Sequence, residues 1–304
     1  MKYGFDGLVT NPPYADSSHT ERKNTLWRKW FGFDSLVVDD GVFALIPPSS
    51  WMGSPPIIKK YFTDENGLKV NITHLNRDEC ARHFTGIGSN FSYFVYLKNK
   101  YLGKTDVIAK NVNKKIEIST LNLNDLIFDV LPRDLSKCAE SILSKTLVNR
   151  EPLGVLNTTK CHANNKHLWR DTKGGEFKYP IEKYPDVIIY YNREHPHQDI
   201  PKIVIPTTTY FRVMYYTING TSQSLCYYNL KDNEDKDIVL NNINNKLFDY
   251  LNECFRYSNW NSVNLLRKLP KLPMENKMSD KDVYDYFGLT GDDVNRIEEM
   301  ITWR

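Results

Sequence analysis

The spacing of hydrophobic and polar residues along the first hundred positions predicts strands and helices in alternation. Phe5–Thr10 is a short apolar run with Leu8 and Val9 at its centre, a pattern typical of a buried strand. Further runs of strand character follow at 41–46, 68–75 and 91–97. Helical spacing occurs within 16–40 and over 55–62, and 39–41 carries the residues of a turn. The order strand, helix, strand, helix, strand, strand predicts an α/β fold for this part of the chain.

The rest of the chain carries a less regular mixture of short strands and helices. Strand patterns occur at 105–118, 186–191, 202–206 and 211–218. Helical spacing predicts one helix over 135–147 and a second over 237–255. The second helix would turn four apolar side chains inward: Ile243, Leu247, Leu251 and Phe255. This mixture predicts an α+β arrangement for the C-terminal half.

Strand Phe5–Thr10 runs directly into the sequence Asn11-Pro12-Pro13-Tyr14. Proline lacks a backbone N–H and fixes its own φ, so the strand must end there in a stiff turn. The run at 41–46 also ends in prolines and small polar residues, at what should be the same edge of the sheet. Because ligands of open α/β sheets bind at the carboxyl ends of the strands, we expect a ligand site at this edge.

The residue types at this turn suit the recognition of an exocyclic amine. The side-chain carbonyl of Asn11 can accept one N–H, and the backbone carbonyl of Pro12 can accept the other. Two acceptors would pull the nitrogen lone pair out of conjugation and prepare it to attack an electrophilic methyl group. The Tyr14 ring offers a face on which a base could stack, once that base has left its duplex. A strand that simply ends in an Asn-Pro turn stays open as the alternative interpretation.

Asn11-Pro12-Pro13-Tyr14 after an apolar strand resembles the catalytic motif of the DNA amino-methyltransferases, especially the N6-adenine enzymes. Two later landmarks follow the order of that family: 41–51 is similar to its Gly-x-hydrophobic…Ile-x-Pro-Ser segment, and Phe84 stands before the last strand as a family Phe does. The resemblance implies that the four motif residues are catalytic. It also implies that Phe84 brackets the flipped adenine on the side opposite Tyr14.

The C-terminal half resembles the target-recognition region of the larger type II methylases, on segments 202–206, 260–270 and 285–290. The resemblance implies three parts: 1–105 a partial methyltransferase catalytic domain, 106–150 a connector, and 151–304 a DNA target-recognition domain. Arg170, Arg193 and Arg212 stand among aromatic residues there. They are predicted to contact DNA, because arginine can fork onto guanine or meet phosphate. The alternative for each is an ordinary solvated surface position.

The cofactor that the resemblance implies is S-adenosylmethionine. In this subclass of class I methyltransferases, the glycine-rich turn and acidic residue that hold it precede the Asn-Pro-Pro-Tyr motif. Only ten residues precede Asn11 here. We therefore expect the C-terminal half of a Rossmann-like class I sheet, followed by an α+β recognition domain. We also expect strand Phe5–Thr10 to be an exposed edge that invites another chain.

Two partners follow from this interpretation. One is double-stranded DNA with a flipped adenine. The other is a separate chain that carries the half of the enzyme that binds S-adenosylmethionine, because residues 1–304 alone are expected to bind this cofactor weakly or not at all.

The composition of the chain indicates its cellular location but does not identify its function. The chain has 304 residues, 40% of them hydrophobic, and a net charge of +3, which is compatible with binding phosphate without being evidence for it. Five dispersed cysteines, no signal peptide and no apolar stretch of membrane length predict a cytoplasmic protein with no membrane partner. Cys161-His162 with His167, and His195-Pro196-His197, lack the paired spacing of a zinc site, so no metal is expected.

The function that these features favour is a site-specific DNA adenine N6-methyltransferase of the restriction-modification type, as an incomplete or split chain that needs an N-terminal half to bind S-adenosylmethionine. A catalytically inactive DNA-binding specificity subunit or remnant is the alternative from another class. An enzyme that methylates RNA or a protein glutamine is a third interpretation, and the DNA-type recognition segment argues against it.

Overall fold

The computed structural model describes residues 4–12, 26–63, 69–75, 77–84, 90–98, 104–110, 116–158, 160–208, 211–257 and 260–302. Helices and strands are mixed along the chain, which has an α/β character. The chain divides into two compact units, Met1–Ser136 and Lys137–Arg304, called unit 1 and unit 2 below. The division falls inside the segment 106–150, which the sequence predicts to be a connector.

Unit 1 is built on a sheet of six described strands: β1 (Phe5–Thr10), β2 (Val37–Leu45), β3 (Lys69–Leu75), β4 (Phe91–Leu97), β5 (Thr105–Lys110) and β6 (Ile116–Leu121). Their spatial order is β1-β2-β4-β3-β5-β6. β1 and β2 are parallel, β4 runs antiparallel to both β2 and β3, β3 and β5 are parallel, and β6 is antiparallel to β5. The antiparallel pair expected from 68–75 and 91–97 is therefore present, and β4 lies between β2 and β3.

One face of this sheet is covered by an aromatic core. The helices of unit 1 are α1 (Leu26–Lys29), α2 (Pro55–Phe62) and α3 (Arg77–His83), with 3₁₀ turns at Trp30–Leu36, Ser49–Gly53, Leu123–Asp125 and Ile127–Asp129. Phe94 of β4 lies 5.5 Å from Phe31 and 5.2 Å from Phe62, between ring centroids. Trp51 stacks on Phe62 at 4.6 Å, and its indole Nε1 donates to Ser92 Oγ at 2.8 Å. Aromatic packing of this kind contributes beyond the area that it buries.

The turn expected at 39–41 is wrong. β2 begins at Val37, directly after the helical turns over 26–36, and the turn residues lie inside this strand. Asp40 N donates to Lys98 O at 3.2 Å and Lys98 N donates to Gly41 O at 2.9 Å, so the ladder continues past the turn residues. Asp40 adopts a φ of 66°, a local irregularity that a strand tolerates at a bulge.

Strand β1 forms as predicted, but the prediction that it is buried is wrong. Phe5 is 58% exposed and Val9 is 77% exposed, while Leu8 is half-buried. Among the described strands, β1 pairs only with β2, so it forms an edge of the described sheet. This agrees with the other expectation from the sequence, that β1 is an exposed edge strand.

The second face of the sheet carries exposed apolar side chains on several of its strands. Residues paired in register share a face, and this places Val9, Ala44 and Val95 in one row and Tyr93, Ile108 and Ile118 on the same side. Apolar side chains on this face stay exposed at both ends and in the middle of the sheet: Val9, Tyr93, Val95, Ile116 and Ile118. A parallel strand pair is normally covered on both faces, so this surface is unusual.

Unit 2 contains two sheets of four described strands each. Its strands are β7 (Leu156–Asn157), β8 (Trp169–Arg170), β9 (Tyr179–Tyr184), β10 (Val187–Tyr191), β11 (Lys202–Pro206), β12 (Tyr215–Thr217), β13 (Gly220–Thr221) and β14 (Leu225–Asn229). The sheets have the orders β13-β9-β10-β8 and β12-β11-β14-β7. Its helices are α4 (Lys137–Leu147), α5 (Lys236–Ile243), α6 (Lys246–Cys254), α7 (Val263–Leu266), α8 (Asp280–Tyr286) and α9 (Gly291–Thr302). Helix α4 is the one predicted over 135–147.

The single helix predicted over 237–255 is wrong, because the chain forms α5 and α6 with a break at Asn244. Asn245 starts the second helix, since its Oδ1 accepts the backbone N–H of Phe248 at 2.8 Å. Asparagine favours this N-cap position over a helix interior. The four side chains predicted to point inward are confirmed as buried: Ile243, Leu247, Leu251 and Phe255.

Candidate functional site

The carboxyl ends of β1 and β2 lie side by side. Thr10 pairs with Leu45 in the parallel ladder, and Ile46 N donates to Thr10 O at 3.1 Å. Asn11 and Pro12 therefore leave the sheet next to residues 46–48, and the shared edge predicted from the sequence is confirmed. Asn11 is exposed at this edge and Pro12 is buried. The other two predicted catalytic residues, Pro13 and Tyr14, lie outside the described residues.

Backbone hydrogen bonds fix the end of β2 against the start of β4. Ser92 N donates to Pro47 O at 3.1 Å, and Ser49 N donates to Asn90 O at 3.0 Å. Pro48 forms an antiparallel bridge with Phe91. The two prolines thus end the strand without leaving its backbone groups unpaired, and the edge next to Asn11 is held rigidly.

Phe84, the residue predicted to bracket a base, lies at the same edge. It follows α3 and is half-buried, and its backbone N donates to Cys80 O at 2.7 Å. Its ring centroid is 5.4 Å from that of Phe91, the first residue of β4. The fold of unit 1 therefore brings Phe84 and Asn11 to one edge of one sheet. The role of Phe84 opposite Tyr14 stays a prediction.

The three predicted DNA-contacting arginines lie in unit 2, and two of them share a sheet. Arg170 is the last residue of β8, and Arg193 follows β10 by two residues. β8 and β10 are paired, and Asn192 N donates to Leu168 O at 3.1 Å. Arg212 lies apart from that sheet, just before β12. Burial raises the pKa of Tyr284 on α8, and the charge of Arg212 lowers it by a smaller amount. All three arginines are exposed.

Cationic side chains lie over aromatic rings on the sheet of Arg170. The Arg170 guanidinium carbon is 4.4 Å from the Phe177 ring centroid. Lys183 Nζ is 4.3 Å from the Trp169 ring centroid. Sequence reasoning missed Lys183 and Phe177, because these contacts depend on strand pairing and on a turn rather than on spacing along the chain. In such pairs the electrostatic attraction between the cation and the ring face favours one position of the charged group.

A buried polar cluster supports this sheet from beneath. Lys202 Nζ donates to three backbone carbonyls, those of Ile200, Ile218 and Asn219, and Glu182 accepts hydrogen bonds from Thr217 Oγ1 at 2.9 Å and Asn219 Nδ2 at 2.8 Å. Burial lowers the pKa of Lys202 to about 8. These contacts tie β9, β11 and the turn after β12 together, and we assign the cluster a structural role.

The histidines of His195-Pro196-His197 belong to the same region. His195 Nδ1 accepts the backbone N–H of His197 at 2.9 Å, so its proton is on Nε2, which lies 3.4 Å from Thr221 Oγ1. His197 Nδ1 lies 2.8 Å from the Tyr227 hydroxyl. Burial, with the charges of Lys202 and His197, lowers the pKa of His195 to about 4. Among the described residues, no group of three or more His, Cys, Asp or Glu side chains could hold a metal ion.

Comparisons with known proteins give no family assignment. No family model matches the chain. No curated protein matches it.

Among the described residues, no helix has the length and apolar character needed to cross a bilayer.

Solved structures of restriction enzymes do match the chain. The type IIL restriction-modification enzyme MmeI in complex with DNA is 7% identical at a TM-score of 0.49, over 98% of this chain and 53% of the MmeI chain. The type IIG restriction endonuclease BpuSI is 10% identical at a TM-score of 0.33, over 97% of this chain and 52% of that one. The DrdV–DNA complex is 8% identical at 0.36, over 72% and 33%. The chain spans about half the length of the first two proteins.

Proposed function

We propose that the chain is the catalytic-motif and target-recognition portion of a site-specific DNA adenine N6-methyltransferase of the restriction-modification type. The observation that carries the proposal is the position of Asn11-Pro12 at the carboxyl end of β1, beside the proline-rich end of β2 and on the edge that also holds Phe84. This is the position at which ligands bind in open α/β sheets.

The parallel β1–β2 pair, followed by β4 antiparallel on the far side of β2, is compatible with the C-terminal half of a class I sheet. The directions of β1, β2 and β4 therefore agree with those expected for the proposed catalytic half.

The proposed chemistry uses acceptor groups of this chain. The Asn11 side-chain carbonyl and the Pro12 backbone carbonyl accept the two N–H groups of the adenine N6 amine, once the base has left the duplex. Tyr14 stacks on one face of the base and Phe84 on the other. Holding both N–H groups draws the nitrogen lone pair away from the ring, so that N6 would attack the donor's methyl carbon directly, without a covalent enzyme intermediate. The N–C bond would form as the donor's S–C bond breaks, the donor would leave as a neutral thioether, and one N6 proton would pass to water.

The described residues of this chain do not form a complete site for S-adenosylmethionine. Within the described residues, no strand is followed by a glycine-rich turn and a helix. We propose that this cofactor, which supplies the methyl group, is held by a separate chain. Two surfaces support such a partner: the edge of β1 that pairs with no described strand, and the adjoining sheet face that carries exposed apolar side chains. Val9 belongs to both surfaces and is exposed.

A catalytically inactive DNA-binding subunit is the second candidate. The absence of a glycine-rich turn after any described strand is compatible with it, because a specificity subunit needs the recognition unit but not the methyl donor. Both candidates predict DNA binding, and only the first predicts methyl transfer when the cofactor-binding chain is supplied.

The test combines the chain with the polypeptide encoded immediately upstream, where that polypeptide contains a glycine-rich turn. Transfer of tritiated methyl groups from S-adenosylmethionine to unmethylated plasmid DNA would be measured with each chain alone and with both. Transfer by the pair alone supports the methyltransferase. DNA binding by a stable pair that transfers no methyl group supports the inactive subunit, and no binding to DNA contradicts both.

A further inference from the structure

Arg170 has a fixed backbone. The preceding residue, Trp169, is buried, and its indole Nε1 donates to Ala163 O at 3.0 Å. Trp169 packs in the apolar cluster formed with Ile181, Ile189 and other buried residues of the sheet. Arg170 itself pairs in register with Tyr190 of β10. The strand that carries Arg170 therefore cannot shift without opening a packed core.

The guanidinium of Arg170 is also fixed. Its Nη1 donates to Lys166 O at 3.1 Å and to Trp169 O at 2.8 Å. Its guanidinium carbon lies over the Phe177 ring, 4.4 Å from the ring centroid. Phe177 sits in a tight turn closed by two backbone hydrogen bonds with Gly174, each 3.0 Å long. A planar cation held by two carbonyls and a ring has lost its freedom before any ligand arrives.

Three N–H donors of this guanidinium remain available. Arginine has five, and the two hydrogen bonds described use Nη1 only. Within the described residues, the Nε and Nη2 groups meet no acceptor, and the residue is exposed. Nε–H and Nη2–H point in parallel from one edge of the plane. That edge matches two acceptors side by side, such as O6 and N7 of guanine in the major groove.

The side chains of Arg193 and Lys173 are not held in one orientation as that of Arg170 is. Both are exposed, and neither makes a hydrogen bond through its side chain within the described part of the chain. Residues 160–193 hold seven Lys and Arg against four Asp and Glu, so this sheet carries positive charge. Phosphate recognition needs charge but little orientation, and these two exposed side chains supply that charge. A guanidinium that is held rigid suits base recognition.

We propose that Arg170 is a specificity-determining residue that reads one guanine through its Nε–Nη2 edge, while Arg193 and Lys173 contact phosphate. The inference rests on the DNA binding proposed above and selects one arginine among the three predicted there. It requires neither a complete cofactor site nor catalysis, so it can be tested on the 304-residue chain.

The test selects binding sites from a pool of 40-base-pair duplexes with 20 randomised central pairs. Wild type, Arg170→Lys and the matched control Arg193→Lys are compared, and the thermal melting of each is recorded. Arg170→Lys keeps the charge and loses the fork. We expect it to lose a G·C preference at one position and to bind the wild-type site about 5- to 150-fold more weakly, with an unchanged salt dependence. Arg193→Lys should keep the preference.

A change in the DNA provides a second measurement that does not depend on how the variants fold. Replacing the selected guanine by 7-deazaguanine removes N7, so wild type should bind that duplex more weakly. Selection of the same sequence by wild type and Arg170→Lys, or wild-type binding that is indifferent to 7-deazaguanine, overturns the inference. Binding without any base preference overturns it while leaving DNA binding intact. If the chain binds none of the duplexes, both this inference and the proposed function are wrong.

Discussion

The buried imidazole of His195 makes the stability of unit 2 dependent on pH. The side chain is 2% exposed, and its Nδ1 already accepts a backbone N–H. Burial, reinforced by the charges of Lys202 and His197, lowers the pKa of His195 from 6.5 to about 4. In the unfolded chain the imidazole takes up a proton below about pH 6.5, whereas in the folded chain it resists protonation until about pH 4.

The sign and size of the effect follow from this difference. Between these two pKa values the unfolded chain binds more protons, so the free energy of unfolding falls as the pH falls. A shift of one pKa unit corresponds to about 1.4 kcal/mol, which gives a loss of about 2 kcal/mol between pH 7.5 and pH 5, and about 3 kcal/mol by pH 4. This loss is a large fraction of the stability of an ordinary domain.

The assay is urea unfolding followed by tryptophan fluorescence at several pH values between 7.5 and 5. His195→Gln can keep an acceptor for the His197 N–H and a donor for Thr221 without titrating. We expect its free energy of unfolding to fall by about 2 kcal/mol less than that of wild type over this range. His167→Gln, at an exposed position, serves as the control and should follow wild type. Equal pH profiles for wild type and His195→Gln would refute the reasoning.

Further predictions concern packing and the cofactor. Gly220→Ala should destabilise the chain by about 1–3 kcal/mol in the same urea assay, because the added Cβ would lie 2.5 Å from His195 Cβ, whereas Gly174→Ala should have little effect, since nothing lies within 4 Å. Trp51→Phe should cost about 1–3 kcal/mol, because it leaves the buried Ser92 hydroxyl without its indole donor; wild-type stability in this variant would contradict the described core. Isothermal titration should detect weak or no binding of S-adenosylmethionine to the isolated chain, and micromolar binding would contradict the incomplete site.

Local chemistry made some of the fold predictable. Prolines end β1 and β2 wherever the rest of the sheet lies, so the shared edge could be inferred from the sequence. Apolar spacing likewise identified the inward side of α5 and α6. The break between these helices was missed, because the Asn245 side chain caps a new helix rather than joining one.

Long-range pairing decided the features that could not be predicted. The exposure of Val9 depends on which strands flank β1, and local sequence does not encode this. The turn residues Asp40 and Gly41 stay in a strand because Lys98 of the neighbouring segment bonds to both. The Arg170–Phe177 contact depends on how β8 and a tight turn meet, so the sequence suggested an arginine but not its rigid setting.

The most direct test of the central claim is the identity of the modified base. Plasmid DNA from cells that express the chain together with a cofactor-binding polypeptide that contains a glycine-rich turn would be hydrolysed to nucleosides and analysed by mass spectrometry. We expect N6-methyladenine with wild type and a loss of about 100-fold or more with Asn11→Ala. Asn11→Asp, which keeps an oxygen acceptor, should retain part of the signal. Methylation at cytosine, or N6-methyladenine that persists unchanged in Asn11→Ala, would contradict the claim that Asn11 holds the amine of an extruded adenine.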